Sequence, residues 1–349
     1  MPSLAIKYRP KTFDDVVEQD SVKEILSNIC SHNDPKEFTN RNFLLIGPAG
    51  TGKTTQARIM AHMLNGNDDD SNIIEIDAAS HNGTDAMRQL IDQAQAYPIG
   101  STYKVFVLDE CHSLTSQSWQ ILLKTLESPP ARSVFIFATT NPEKIPATII
   151  SRVQTFQLSK ISVDGIFNRL KYVMDNEIKE GQQYTYSDDA LLYIAKLANG
   201  GMRDSLTLLD KALAYNKDIT MENIQKSLGL PHYDEYFLLL NAYASKDNVK
   251  IAQVVNDVYN SGINFVKWFE GFHSFVIQIV KYILLRDINQ TMIPNTYESK
   301  LSKYTTAHAN MCIKLARKLM ELNAKLKTTS YLQETALTYL CFVSASKKG

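Results

Sequence analysis

The chain carries no excess of charge of either sign. Among its 349 residues, Lys and Arg together number 37, and Asp and Glu together also number 37. An overall basic charge, the usual electrostatic mark of a nucleic-acid-binding domain, is therefore missing. With 44% apolar residues the chain can bury a sizeable core, and its length leaves room for two or three domains.

Cysteines and long apolar runs are also scarce. The four cysteines lie far apart, at Cys30, Cys111, Cys312 and Cys341, and no C-x-x-C pair occurs. This spacing indicates neither a zinc knuckle nor a disulfide framework. The amino terminus has no apolar signal region, and the apolar stretch 272–285 is too short to span a bilayer. We therefore expect a soluble, reduced, cytoplasmic protein that has no membrane contact and no tightly bound zinc.

The most informative segment that is present is a glycine-rich loop between an apolar run and a helical pattern. Residues 47–54 match G-x-x-x-x-G-K-[ST], the phosphate-binding P-loop. Glycines allow dihedrals that turn successive backbone N–H groups toward a phosphate, and the following helix adds its positive dipole end. Lys53 is expected to reach the β- and γ-phosphates of ATP, and the Thr54 hydroxyl to hold Mg²⁺. The predicted nucleotide-binding residues of this segment are Gly47, Pro48, Ala49, Gly50, Thr51, Gly52, Lys53, Thr54 and Thr55.

Strand and helix patterns alternate around this loop as far as residue 160. Strands are predicted at 42–46, 73–76, 103–108, 133–138 and 153–158, with helices between most of them. The alternation predicts an α/β domain with a parallel sheet, flanking helices and ligands at the carboxyl ends of the strands. Beyond residue 160 we expect helices and no further strands, with a second boundary near residues 228–231. A leucine-rich stripe in the predicted helix 307–327 indicates either core or, less often, a surface that pairs with a partner chain.

Two acids end the strand at 103–108 and should lie beside the P-loop. Asp109 is predicted to join the Mg²⁺ shell, and Glu110 to orient and polarise the attacking water. A solvent-facing acid pair is the simpler alternative. Thr140, at the end of the next strand, is a candidate to sense the γ-phosphate, although such residues are also ordinary turn formers. Arg152 and Arg203 could each stabilise charge in a phosphate site, but from these residues alone a surface ion pair is the favoured interpretation.

Together these motifs resemble those of the AAA+ clamp-loader ATPases, in particular the gamma/tau subunits of bacterial DNA polymerase III. Replication factor C small subunits are more distantly similar. The resemblance runs from Leu4 to about Lys211 and rests on segments that include Lys7–Phe13, Val16–Val17, the P-loop, Glu75–Ser80, Asp109–His112, Leu122–Pro130, Ala138–Thr140, Ser151–Arg152 and Gly201–Asp204.

The resemblance implies roles that the residues alone leave open. It places Thr140 at sensor 1, Arg152 on the arginine finger that acts on ATP of a neighbouring subunit, and Arg203 on sensor 2. The adenine-binding segment would include Tyr8, Arg9, Val16 and Val17. It also implies a three-part organisation: an AAA+ P-loop ATPase domain at 1–160, a helical lid at 161–227 and an all-helical oligomerisation collar at 228–349.

Four departures from the family pattern are visible. The loop 65–72 stands where bacterial members usually carry a four-cysteine zinc module. Val153 replaces the usual cysteine after Ser-Arg, and Glu18 replaces a glycine. His81 and its neighbours stand where members often place basic, DNA-contacting residues, so DNA contact is expected to rest on helix N-termini and polar groups.

The function that the resemblance implies is an ATP-driven sliding-clamp loader subunit without a polymerase active site. Its partners would be the clamp, primer–template DNA, other loader subunits in a hetero- or homo-oligomeric, pentameric ring and, indirectly, the replicative polymerase. The setting would be a bacterial cytoplasm, or a host cytoplasm if the gene belongs to a phage. Two alternatives remain: a nucleotide-binding subunit that shapes the ring without turnover, and another AAA+ machine such as a branch-migration helicase.

Overall fold

A computed structural model describes residues 3–31, 41–229 and 233–341 of the chain. The chain divides into two compact units, one formed by Met1–Gln183 with Ile194–Asp210, the other by Tyr184–Tyr193 with Lys211–Gly349. The predicted three-domain organisation, with boundaries after residues 160 and 227, stays a prediction. The turn predicted at residues 33–35 lies outside the described residues.

The first unit is built on a five-stranded, wholly parallel sheet. Its strands stand in the order β2-β3-β4-β1-β5, so the strand that precedes the P-loop lies between β4 and β5. The strands are β1 (Asn42–Ile46), β2 (Ile73–Asp77), β3 (Lys104–Asp109), β4 (Ser133–Thr139) and β5 (Gln154–Gln157).

Helices surround this sheet and continue into the second unit. Those up to residue 179 are α1 (Leu4–Lys7), α2 (Asp20–Ser31), α3 (Lys53–Asn65), α4 (Thr84–Gln95), α5 (Ser116–Glu127), α6 (Ala147–Ile150) and α7 (Val163–Lys179). Two helices have residues in both units: α8 (Asp188–Leu197) and α9 (Met202–Tyr215).

Both faces of the sheet are buried, which explains the almost unbroken apolar strands. In β3, Val105 and Val107 join a core with α2 and α3 residues, whereas Phe106 and Leu108 join a core with α4 and α5 residues. Successive side chains of a strand point to opposite faces, so both cores need every position of the strand to be apolar. This burial fixes the carboxyl ends of β1, β3 and β4 at one edge of the sheet.

The second unit is mostly helical and has its own core. Its helices from residue 221 are α10 (Met221–Leu228), α11 (Tyr233–Ser245), α12 (Asn248–Asn260), α13 (Phe265–Leu285), α14 (Glu298–Leu301), α15 (Thr306–Leu326) and α16 (Leu332–Leu340). The predicted leucine stripe lies on α15, and Leu315, Leu319, Leu322 and Leu326 are buried among the aromatic residues of α13. The stripe is therefore core.

The expectation that strands end at residue 160 is wrong. Two-residue strands, β6 (Thr185–Tyr186) and β7 (Asp218–Ile219), form a small parallel pair in the second unit. Two residues are too few to produce a visible alternation, so the sequence pattern gave no sign of them. Helices α1, α10, α14 and α16 are also absent from the sequence-based prediction. Among the described residues, no helix combines the length and the apolar character needed to cross a membrane.

Candidate nucleotide-binding site

The P-loop connects the end of β1 to the start of α3, as the motif predicts. Gly50 and Gly52 have φ values of +73° and +99°, in the left-handed region that favours glycine. Gly47 has another reason to be glycine, which corrects the expectation that it too supplies an unusual dihedral. A Cβ there would lie 2.7 Å from the Leu158 carbonyl oxygen, so the close approach of the chain after β5 excludes a side chain.

Lys53 is held against the loop that it follows. Its Nζ donates hydrogen bonds to the Gly47 carbonyl at 2.9 Å and to the Pro48 carbonyl at 3.0 Å. Burial lowers the pKa of this ammonium, and the negative charges of Glu110 and Asp109 oppose that shift. Lys53 is thus a buried ammonium held by two carbonyl oxygens of the P-loop, where the phosphates of a bound nucleotide could replace those partners.

Asp109 and Thr54 come together at the carboxyl edge of the sheet. The Thr54 hydroxyl donates to Asp109 Oδ2 at 2.6 Å, so residues from α3 and β3 meet directly. A carboxylate and a hydroxyl are hard oxygen donors of the kind that Mg²⁺ accepts together with water and phosphate oxygens. This pair therefore fits the metal role predicted for both residues.

Glu110 follows Asp109 with a constrained backbone and an organised carboxylate. Its φ of +45° is left-handed, which is uncommon for a non-glycine residue and typical of functional sites. Its Oε2 accepts a hydrogen bond from the Thr140 hydroxyl at 3.0 Å. His112 Nδ1 lies 3.2 Å from the same oxygen and 3.1 Å from Thr139 Oγ1. Sequence reasoning assigned no role to His112, although the residue closes the segment Asp109–His112 on which the family resemblance partly rests.

Arg203 is brought to the P-loop by the first turn of α9. The Met202 N–H donates to the Gly50 carbonyl at 2.9 Å, and a Cβ on Gly50 would lie 3.5 Å from the Arg203 backbone nitrogen. The same added carbon would lie 3.0 Å from Gly201 Cα, so the glycines at 50 and 201 permit this contact. The predicted sensor 2 arginine therefore begins its side chain beside the nucleotide loop of its own chain.

Arg152 lies at the opposite end of the sheet. Its carbonyl accepts from Asn42 Nδ2 at 3.2 Å, at the amino end of β1, whereas the P-loop follows the carboxyl end of that strand. A five-residue strand spans about 16 Å at 3.3 Å per residue. The guanidinium is paired with Glu127, whose Oε1 lies 2.7 Å from Nη2, and it also donates to the Thr148 carbonyl. The structure thus separates Arg152 from the other predicted site residues of its chain.

The predicted adenine segment packs on α7. The Tyr8 hydroxyl donates to Glu177 Oε1 at 2.9 Å, and Arg169 Nη2 donates to the Tyr8 carbonyl at 3.0 Å. Val16 is buried, and Arg9 is exposed. These contacts hold the segment in place, and its adenine-binding role stays a prediction.

Glu18 occupies a position where the family pattern has a glycine, and its contacts show how a side chain is accommodated there. Glu18 and Gln19 have φ values of +56° and +62°. The Glu18 carboxylate accepts from the Ser162 backbone N–H and hydroxyl at the start of α7, and Gln19 exchanges hydrogen bonds with the Ser159 N–H and carbonyl at 3.0 and 2.7 Å. The left-handed backbone is the physical reason for a glycine here, and the carboxylate compensates for its absence.

We expect Glu18→Ala to lower the free energy of unfolding by about 1–2 kcal/mol, because it removes the hydrogen bonds that hold Ser162, the N-cap residue of α7, and leaves the left-handed dihedral in place. Glu18→Gly should lose less, since glycine adopts positive φ without strain. Urea denaturation checks both, with the exposed Glu24→Ala as the control. Equal losses for alanine and glycine would contradict the strain argument.

Comparisons with known proteins agree on one family. Two family models match: DNA polymerase III, delta subunit, over residues 53–162, and DNA polymerase III clamp loader subunit, ATPase lid domain, over 166–218. The chain is 32% identical to DNA polymerase III subunit gamma of Buchnera aphidicola subsp. Schizaphis graminum, covering 91% of this chain and 90% of that protein. It is 40% identical to the tau subunit of Bacillus subtilis over 61% of this chain and 39% of that protein.

A third relative, the gamma/tau subunit of Mycoplasma genitalium, is 33% identical over 81% of this chain and 49% of its own length. The chain thus spans about half or less of the length of several gamma/tau relatives. Among solved structures, the Thermotoga maritima RuvB Holliday junction branch migration motor aligns with a TM-score of 0.52 at 18% identity, over 85% of this chain and 99% of that one. At this identity the likeness shows the AAA+ fold alone.

Proposed function

Because this chain belongs to the DNA polymerase III gamma/tau family of clamp-loader subunits, we propose that it is an ATPase that helps to load a sliding clamp onto primer–template DNA. ATP binding closes the ring of subunits on the clamp and DNA, and hydrolysis releases both. One observation carries the proposal: Thr54, Asp109 and Glu110 converge beside a P-loop with a buried lysine.

The phosphates bind to the backbone amides of the P-loop and to Lys53. On binding, phosphate oxygens replace the Gly47 and Pro48 carbonyl oxygens as hydrogen-bond acceptors for Lys53. Thr54 and Asp109 would hold Mg²⁺, which would supply positive charge to offset the negative charge of the phosphates. Glu110 orients the attacking water and accepts its proton, while Thr140 holds the Glu110 carboxylate. The segment that packs on α7 binds the adenine, through Tyr8, Arg9, Val16 and Val17.

Two arginines complete the site from different places. Arg203 acts on ATP bound to its own chain, because α9 begins against Gly50. Arg152 acts on ATP bound to a neighbouring subunit, because its own P-loop is at the other end of the sheet. Hydrolysis then depends on the assembly of subunits into a ring, because each site needs the Arg152 of a neighbouring subunit.

The proposed partners rest on the membership of the chain in the gamma/tau family. They are a sliding clamp, primer–template DNA and the other subunits of a pentameric loader ring, with the polymerase reached indirectly. The lid at 161–227 carries Arg203, and the helical region 228–349 supplies the collar that holds subunits together. The alternative is a nucleotide-binding subunit that shapes the ring without turnover, and the intact set of Lys53, Asp109, Glu110, Arg152 and Arg203 favours the ATPase.

The ATPase rate of the assembled protein tests the proposal. We expect hydrolysis that rises when primed DNA and a sliding clamp are both present, and Lys53→Ala should abolish nucleotide binding without unfolding the chain. Circular dichroism of the variant supplies the control for folding. Nucleotide binding without hydrolysis under every condition would favour the structural subunit, and a Lys53→Ala variant with normal affinity would remove the P-loop from the mechanism.

A further inference from the structure

We propose that His112 is a positioning residue for hydrolysis, which holds one oxygen of the Glu110 carboxylate so that the other can accept the proton of the attacking water. The inference rests on the proposed ATPase function. It starts from the arrangement at the end of β3, where His112 lies in a short turn directly after Asp109 and Glu110.

The geometry concentrates two contacts on one oxygen. Thr140 donates to Glu110 Oε2 at 3.0 Å, and His112 Nδ1 lies 3.2 Å from the same atom. The imidazole side chain is only 17% exposed, so its orientation is fixed by packing more than by water. A carboxylate held through Oε2 on two sides cannot rotate freely, which directs Oε1 as the proton acceptor.

Neighbouring groups also fix the orientation of the His112 imidazole. Thr139 is fully buried at the end of β4, and its Oγ1 accepts from the Asn141 N–H at 3.0 Å while lying 3.1 Å from His112 Nδ1. The same ring nitrogen is thus hydrogen-bonded to the Thr139 hydroxyl and lies 3.2 Å from Glu110 Oε2. Side chains from the ends of β3 and β4 thus form one series of polar contacts, in which His112 lies between the buried Thr139 and Glu110.

This arrangement explains the unusual backbone of Glu110. A φ of +45° costs free energy in a non-glycine residue and persists where the surroundings determine it. The hydrogen bond from Thr140 and the 3.2 Å contact with His112 Nδ1 give the carboxylate a fixed place. A general base needs that fixed place because a displacement of about 1 Å can cost up to about 100-fold in rate.

Replacing His112 by asparagine or by glutamine distinguishes a role in positioning Glu110 from a role in packing alone. In asparagine the amide nitrogen can take the place of Nδ1, whereas the glutamine amide reaches the place of Nε2. We expect His112→Gln to lower kcat about tenfold or more with unchanged ATP affinity, and His112→Asn to recover most of that rate. His273→Gln, in the second unit, is the matched control.

A double-mutant cycle with Glu110→Gln decides whether His112 acts through Glu110. In the assembled protein with primed DNA and clamp, His112→Gln should cost nothing further once Glu110 is already glutamine. Equal rates for His112→Asn and His112→Gln, or a full additional loss in the Glu110→Gln background, would overturn the inference. Absence of hydrolysis in the unmodified protein would instead refute the proposed function, so the two failures are distinguishable.

Discussion

Arg152→Ala should leave ATP binding intact and reduce hydrolysis in the assembled ring by about 10³-fold or more, the scale at which arginine fingers act. The Arg152 backbone carbonyl is bonded to Asn42 at the amino end of β1, and the guanidinium is paired with Glu127. It is about the length of a strand away from the P-loop of its own chain. We therefore expect its removal to leave nucleotide binding unchanged and to act on hydrolysis through a neighbouring subunit.

Arg152 forms an ion pair with Glu127, and this pair must break before the guanidinium can bind a phosphate. Arg152 donates from Nε and Nη2 to the same Glu127 oxygen, at 3.1 and 2.7 Å. Both side chains are partly exposed, so the pair is weak and can be exchanged for a phosphate. Nucleotide titration and ATPase assays of the assembled protein provide the measurement, with Arg88→Ala as the control because Arg88 is also an exposed, ion-paired arginine. Normal hydrolysis by Arg152→Ala rings would exclude the arginine from the reaction.

Glu110→Gln is expected to keep ATP bound and to slow hydrolysis by about 100-fold or more, the usual contribution of a positioned general base. Glutamine retains the size of the side chain and can still accept a hydrogen bond from Thr140, but its amide cannot accept a proton at neutral pH. The loss should therefore appear in kcat and leave nucleotide affinity largely unchanged.

Single-turnover hydrolysis measures this loss without interference from product release. Glu321→Gln makes the same chemical change at an exposed carboxylate of α15 and should have no effect. A Glu110→Gln protein with an undiminished single-turnover rate would reassign Glu110 to a structural role, and its hydrogen bond with Thr140 would then serve only to fix the turn after β3.

The parts of the fold that were predictable are those with strong local patterns. The P-loop, the five strands and the acids at Asp109 and Glu110 follow from short segments, because buried parallel strands are apolar throughout and their carboxyl ends carry the site. The pairing of Thr54 with Asp109 follows once those strands are ordered. The predicted bounds of α2 and α5 agree with the structure.

Other features depend on residues that lie far apart in the sequence. The need for glycine at Gly47 comes from the Leu158 carbonyl, and the role of Glu18 comes from Ser162. No local pattern reveals such contacts. His112 was overlooked for the same reason, because its partner Thr139 becomes visible only when β3 and β4 lie side by side.

The shared active site is the central claim, and mixing two inactive subunits tests it most directly. Arg152→Ala subunits retain Glu110, and Glu110→Gln subunits retain Arg152, so each kind alone should form rings with little hydrolysis. In mixed rings, some interfaces unite an intact Glu110 site with the Arg152 of its neighbour, and we predict that ATPase activity returns on mixing. Failure of every mixing ratio to restore activity, in rings shown to contain both subunits, would contradict the account.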